Sequence, residues 1–182
     1  MFVVGIDEVG RGTIAGPVVA CAIIMPENFI DERIKDSKKI NKNRREELYK
    51  YLTNNFHYGL GVVCNKIIDE INILNATKQA MHLALSKLNH HYDKIIIDAV
   101  KLNNIEKPYI YPFKADNDYI QVSAASIIAK VYRDNLMTYL SSIYDKYGWE
   151  KNAGYGTKHH IEAIKKYGYS DIHRLSFKIK GL

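Results

Sequence analysis

Asp7 and Glu8 stand side by side at the end of an apolar run, and the turn Gly10-Arg11-Gly12 follows at once. Two neighbouring carboxylates can hold a divalent cation. Glycines expose backbone amides, and an arginine attracts phosphate. A third acid, Asp98, closes the apolar run Ile95-Ile96-Ile97. A carboxylate there is costly unless paired or solvated, and strand ends are where α/β proteins place ligand groups. A fourth, Asp134, lies too deep in a helical pattern to be an N-cap; Ser123, Ile127, Lys130 and Asp134 share one helix face at spacings of three and four.

Each acid has a plainer reading alone. Asp7 and Glu8 read as one structural and one surface acid, Asp98 as a cap on the following turn, and Asp134 as the partner of Lys130. Together they offer an oxygen-only set from two strands and a helix, the set that Mg2+ or Mn2+ takes. Two such ions, roughly 4 Å apart, can stabilise the attacking and leaving oxygens of phosphodiester hydrolysis. No Cys or His spacing suggests zinc. The pairs His90-His91 and His159-His160 are read as solvated. The segment Gly10 to Ala15 also matches the dinucleotide pattern G-x-G-x-x-A, but that pattern needs a helix next. Gly16-Pro17 and a β-branched run follow instead, which excludes a nicotinamide site.

Positioning these groups sets demands on the elements. Neighbours on a regular strand point to opposite faces, so Asp7 and Glu8 reach one site only if the strand ends or twists between them. Strands are predicted for Phe2 to Asp7, Pro17 to Met25, Tyr58 to Cys64, Lys94 to Val100 and Pro108 to Phe113. Helices are predicted for Asn43 to Leu52, Ile67 to Asn89, Gln121 to Tyr147 and His159 to Tyr167. Strands first, then strands alternating with helices, argue for an α/β fold: a mixed five-stranded sheet flanked by helices.

The 182 residues suffice for one domain with a sizeable core. A hydrophobic fraction of 47% with 25% charged residues is ordinary for a soluble globular protein. No apolar run reaches the length of a membrane span, and no secretory signal precedes the first strand. Cys21 and Cys64 lie far apart in apolar surroundings and read as buried free thiols of a reducing compartment. The net charge of +6 suits a polyanionic partner, although the Ile, Lys, Asn and Tyr excess also reflects AT-rich codons.

Several longer motifs resemble one family, type 2 ribonuclease H, and ribonuclease HII within it. They are Gly5-Ile6-Asp7-Glu8-Val9-Gly10-Arg11-Gly12, Ala15-Gly16-Pro17, Asp36-Ser37-Lys38-Lys39, Ile71 to Thr77, Ala124 to Asp134, Gly154-Tyr155-Gly156-Thr157-Lys158 and His173-Arg174-Leu175-Ser176-Phe177. The resemblance covers nearly the whole chain. It implies an RNase H-like fold over residues 1–182, with a short C-terminal helical extension from about 148. It implies an endonuclease acting on RNA in RNA–DNA hybrids and 5′ of ribonucleotides embedded in duplex DNA, leaving 3′-hydroxyl and 5′-phosphate ends. Two divalent ions, Mg2+ or Mn2+, would be held by Asp7, Glu8, Asp98 and Asp134.

Gly10, Arg11 and Gly12 map onto the family's reader of the 2′-hydroxyl. Tyr155 maps onto the tyrosine that stacks on the sugar beside the ribonucleotide. Lys38, Lys39, Lys158 and Arg174 are candidates for backbone phosphates. Ser37 either contacts phosphate or caps the following helix. A monomeric cytoplasmic enzyme is expected, with no membrane partner and no recruitment segment for a replication factor visible. Three departures stand out: Ala99 where the family has glycine after the third acid, Val9 after the Asp-Glu pair, and Ile40-Asn41 at the end of the lysine motif.

Overall fold

A computed structural model describes residues 1–34 and 40–182, so the expectations for Ser37, Lys38 and Lys39 lie outside the described residues. Two long hydrophobic runs lead the chain and form its central hairpin. Strand β1 (Phe2–Val9) pairs antiparallel with β2 (Val18–Pro26), and helix α1 (Lys42–Asn55) follows. Strand β3 (Tyr58–Val63) adds to β2, and helices α2 (Asn65–Ile71) and α3 (Ile73–Ser86) come next. Strand β4 (Lys94–Ile97) returns to pair parallel with β1, and β5 (Tyr109–Ile110) pairs parallel with β4. The sheet order is therefore β3-β2-β1-β4-β5, mixed as expected. Helices α4 (Ala115–Asp118), α5 (Ile120–Ile143), α6 (Trp149–Asn152) and α7 (Lys158–Tyr167) complete the chain.

Alternation along β1 and β2 sends side chains to two cores. Val4, Ile6, Val18, Ala20 and Ala22 pack with α2 and α3, while Val19, Cys21, Ile23 and Met25 pack with α1 and α5. A third cluster joins Ile14 and Ala15 to Met137, Tyr147, Trp149, Ala163 and Ile164, seating the C-terminal helices beside the turn that follows β1. Helix α3 lies close on β3: a Cβ at Gly61 would stand 1.8 Å from the Ala80 carbonyl oxygen.

Some boundaries differ from expectation. The helix predicted over Ile67 to Asn89 is two helices, broken at Asn72. Asn72 has φ 68° and caps α3 by accepting the Asn75 amide. Its side chain competes for the backbone locally, which apolar periodicity does not register. Strand β4 stops at Ile97 and β5 holds only two residues. Cys64 is exposed, not buried. Asn41 caps α1 by accepting the Arg44 amide at 3.0 Å. One departure from the family pattern is thereby explained, since asparagine is as good an N-cap as serine.

Candidate active site

Strand β1 does not end between Asp7 and Glu8; it runs on to Val9, with Asp7 opposite Cys21 and Glu8 opposite Ala20. The two acids come together for a different reason. The parallel neighbour β4 stops at Ile97, opposite Ile6, and the Asp98 amide donates to the Ile6 carbonyl at 3.1 Å. Beyond Ile6 the β4-side edge of β1 is uncovered. The Glu8 amide, which points that way, is satisfied by Asp7 Oδ1 at 2.8 Å. Asp98 is fixed in turn by the Ala115 amide, which donates to its Oδ1 at 2.7 Å. Three acids whose charges act on one another thus sit at the carboxyl ends of two adjacent parallel strands, the usual ligand position in such sheets.

Their electrostatics record the crowding. Burial, then the charge of Glu8, and more weakly that of Asp98, raise the Asp7 carboxyl well above its ordinary range; a hydrogen bond from Ser126 opposes them. Burial also raises Glu8, while Arg11 lowers it through an ion pair at 3.3 Å. Glu8 Oε2 is buried and has no hydrogen-bond partner. The donor set is oxygen only, repulsive and partly orphaned, which suits a hard divalent cation. As the side chains stand, no group of three or more His, Cys, Asp or Glu among the described residues is arranged to hold a metal.

Asp134 is not brought into the same cluster. Its Oδ1 takes the Lys130 ammonium at 2.9 Å, one turn back along α5, as its plainer reading anticipated. It lines a cleft of about 250 Å3 with Lys42, Arg45, Lys151 and Tyr155. A second hollow, holding Glu8 and Ser126, adjoins that cleft at Arg45, Lys130 and Tyr155. Ser126, Lys130 and Asp134 lie four residues apart. That spacing marks the site-facing stripe of α5, which Ile127 borders and Ser123 does not.

The glycine turn is held from beneath. Gly10 has φ 92°, and a Cβ there would meet the Arg133 side chain at 2.2 Å. Nothing lies within 4 Å of a Cβ built on Gly12, so its outer face is open. Arg11 is exposed. Arg174, expected to contact phosphate, is fully buried: it donates to the carbonyls of Gly16 (3.0 Å), Arg11 (3.0 Å) and Gly10 (2.7 Å). Its five donors form a fork that suits several carbonyls at once. Arg133, also buried, donates to the Pro17, Ala153 and Ala15 carbonyls and to Thr13 Oγ1. Burial lowers Arg174 to about 9 and Arg133 to about 10, so both stay cationic at neutral pH. Neither buttress was foreseen, because charged residues are read as solvated by default.

Tyr155 is exposed on the loop between α6 and α7, with the Lys130 ammonium 6.0 Å from its ring centroid. The Gly154 carbonyl accepts the amides of Ile14 (2.9 Å) and Ala15 (3.3 Å), tying this loop to the segment after Gly12. His159 is exposed as expected, but His160 is fully buried against Trp149 and His173.

A model of the family described as Ribonuclease HII matches residues 4–180. The chain belongs to the ribonuclease HII family. The ribonuclease HII of Ruminiclostridium cellulolyticum is 48% identical over 97% of this chain and 69% of its own length. That of Rickettsia bellii is 49% identical over 95% of this chain and 88% of its own. The crystal structure of the ribonuclease H2 from Pyrococcus horikoshii OT3 superposes with a TM-score of 0.83 at 30% identity, covering 98% of this chain and 95% of that one. As a member of this family, the chain is a ribonuclease H, an endonucleolytic hydrolase with an RNase H-like fold. Among the described residues no helix is long and apolar enough to cross a membrane.

Ala99 departs from the family pattern in a measurable way. Its φ is 51°, in the left-handed region, and its amide donates to the Pro112 carbonyl at 3.0 Å. Glycine would adopt that conformation without penalty. The added methyl therefore strains the turn that carries Asp98, on a residue that is exposed.

Proposed function

We propose that this enzyme cuts the RNA strand of RNA–DNA hybrids, and cuts 5′ of single ribonucleotides in duplex DNA, leaving 3′-hydroxyl and 5′-phosphate ends. The observation that carries this reading is the convergence of Asp7, Glu8 and Asp98 beyond the end of β4, next to a glycine turn pinned by Arg174. Asp7, Glu8, Asp98 and Asp134 would hold two divalent ions, Mg2+ or Mn2+. Bound there, such ions supply Lewis-acid stabilisation of the attacking and leaving oxygens.

The chain's own residues do the rest. Glu8 Oε2 and the crowded Asp7 carboxyl supply the unbalanced negative charge that draws cations. Lys130 holds Asp134 at the rim, ready to exchange the ammonium for a stronger cation. Gly10 to Gly12 present backbone to the 2′-hydroxyl, the group that separates RNA from DNA. Arg11, exposed and paired with Glu8, offers a guanidinium to a phosphate or sugar of the substrate. Tyr155 stacks on the neighbouring sugar and selects the RNA–DNA junction. Residues 1–182 act as one catalytic domain in the cytoplasm, with the segment from about 148 delivering Tyr155.

A duplex with one embedded ribonucleotide, beside an all-DNA duplex, tests the reading with each metal ion. Cleavage of the first alone, 5′ of the ribonucleotide, is expected. Equal cutting of both would sink the 2′-hydroxyl assignment.

A further inference from the structure

Behind the Tyr155 loop lies a buried polar relay that the carboxylate chemistry does not use. Trp149 Nε1 donates to His160 Nε2 at 3.0 Å, and His173 Nε2 lies 3.0 Å from that same nitrogen. His160 Nδ1 is 2.9 Å from the Tyr155 carbonyl. The Ser170 amide donates to His173 Nδ1 at 2.8 Å, with the Ser170 hydroxyl equally near. All three rings are buried.

An obligate donor at each end sets every proton between them. The indole N–H can only donate, so His160 Nε2 must accept and its proton sits on Nδ1, pointing at the Tyr155 carbonyl. The Ser170 amide can only donate, so His173 Nδ1 must accept and its proton sits on Nε2, pointing at His160. The relay is fully satisfied only with both imidazoles neutral. A proton added at His160 Nε2 would face two N–H donors, and one added at His173 Nδ1 would face the Ser170 amide.

We propose that His160, supported by His173 and Trp149, is a positioning residue for Tyr155, and that protonation of this pair releases the tyrosine and weakens selection of the RNA–DNA junction. The proposal rests on the reading of Tyr155 as the sugar-stacking residue. The Tyr155 carbonyl has two donors, the Thr157 amide at 2.8 Å and His160 Nδ1, and its amide donates to Asn152 at 2.9 Å. His160 is therefore the one side chain that anchors this peptide among the described residues, across a loop that begins with Ala153 and Gly154 at positive φ. The groups packed on the pair are Tyr147 from the segment before α6, Trp149 of α6, His159 of α7, and Tyr169 from the C-terminal segment. Arg174, next to His173, aims its guanidinium away at Gly10 and Arg11. The charges that act on the two rings come from histidines, not carboxylates. Burial first, then a neighbouring histidine, holds both below the ordinary value, His173 at about 4. The pair is neutral at pH 7 and is lost as pH falls.

The test is the ratio of cleavage at a single embedded ribonucleotide to cleavage of a continuous hybrid, followed from pH 7.5 to 4.0. The ratio cancels titration of the carboxylates, which both substrates share. Circular dichroism checks that each variant is folded. The wild-type ratio should hold to about pH 5 and fall at least twofold by pH 4.0, where His173 is half protonated. His160→Asn keeps a donor for the Tyr155 carbonyl but cannot titrate, so its ratio should start near wild type and stay flat. His160→Leu should show a low ratio at every pH, close to that of Tyr155→Ala, with no further drop in the double variant. Imidazole nitrogen–proton correlation spectra at pH 7.5 should place the proton on Nδ1 of His160 and Nε2 of His173. A shifted ratio in Tyr155→Ala with an unchanged ratio in His160→Leu, or a flat wild-type profile, overturns the histidine proposal alone. So does any other tautomer pair. An unchanged ratio in Tyr155→Ala instead overturns the reading of Tyr155, and the proposal with it.

Discussion

At the scale of single residues, activity and stability pull against each other at Asp7. Its carboxyl is buried beside Glu8 and Asp98, so its pKa is higher folded than unfolded. A carboxylate raised in this way costs stability above its unfolded value, and the cost fades as pH falls through the folded value. Asp7→Asn keeps an acceptor for the Glu8 amide and removes the charge. In chelator at pH 7.5 the variant should be more stable than wild type by about 1–2 kcal/mol, yet cleave at least a hundredfold more slowly with Mg2+. Thermal unfolding and a hybrid cleavage assay check the two halves; wild-type cleavage would remove Asp7 from the metal set. Ala99 makes the converse case. Its positive φ costs roughly 1 kcal/mol, so Ala99→Gly should raise the melting temperature by about 2–4 °C. A lower melting temperature would mean that the left-handed turn is not strained.

At the scale of elements, Arg174 holds the Gly10 and Arg11 carbonyls of the glycine turn from inside, and Arg133 holds the Ala15 and Pro17 carbonyls that follow it. A residue that touches phosphate and one that shapes the turn behave differently in salt. Losing a phosphate contact lowers the slope of log affinity against log salt by about 1. Arg174→Lys keeps the charge but cannot span three carbonyls. It should lose at least tenfold in cleavage while the salt slope of hybrid binding stays at the wild-type value. A slope reduced by one would return Arg174 to the phosphate role that its motif suggested.

At the scale of the molecule, the charge is distributed to use. The chain carries +6 overall, and Lys42, Arg45, Lys130 and Lys151 line the cleft that also holds Asp134 and Tyr155. Basic side chains beside Asp134 in one cleft match a phosphate backbone laid across a cation site. Hybrid affinity should fall at least tenfold between 50 and 200 mM salt, and Lys42→Ala and Lys151→Ala should each flatten that dependence by about one unit of slope. Titrations by fluorescence anisotropy at four salt concentrations decide this. Unchanged slopes in both variants would place the nucleic acid elsewhere.

The sequence alone determined the parts that depend on local pattern. Apolar runs placed five strands, helical spacing placed the long helix carrying Asp134, and the motif order pointed to the family. The mixed sheet follows from the order of those elements. Tertiary structure decided what depends on where strands stop and what fills the space behind them. Asp7 and Glu8 share a site because β4 ends one residue short of them, not because β1 bends. Arg174 turned from a surface cation into a buried clamp, and His160 from a solvated residue into an anchor. A buried polar group is tolerated only where distant backbone supplies its partners. Those partners, Gly10 for Arg174 and Tyr155 for His160, are set by the packing of the C-terminal helices against the turn, which no local pattern records.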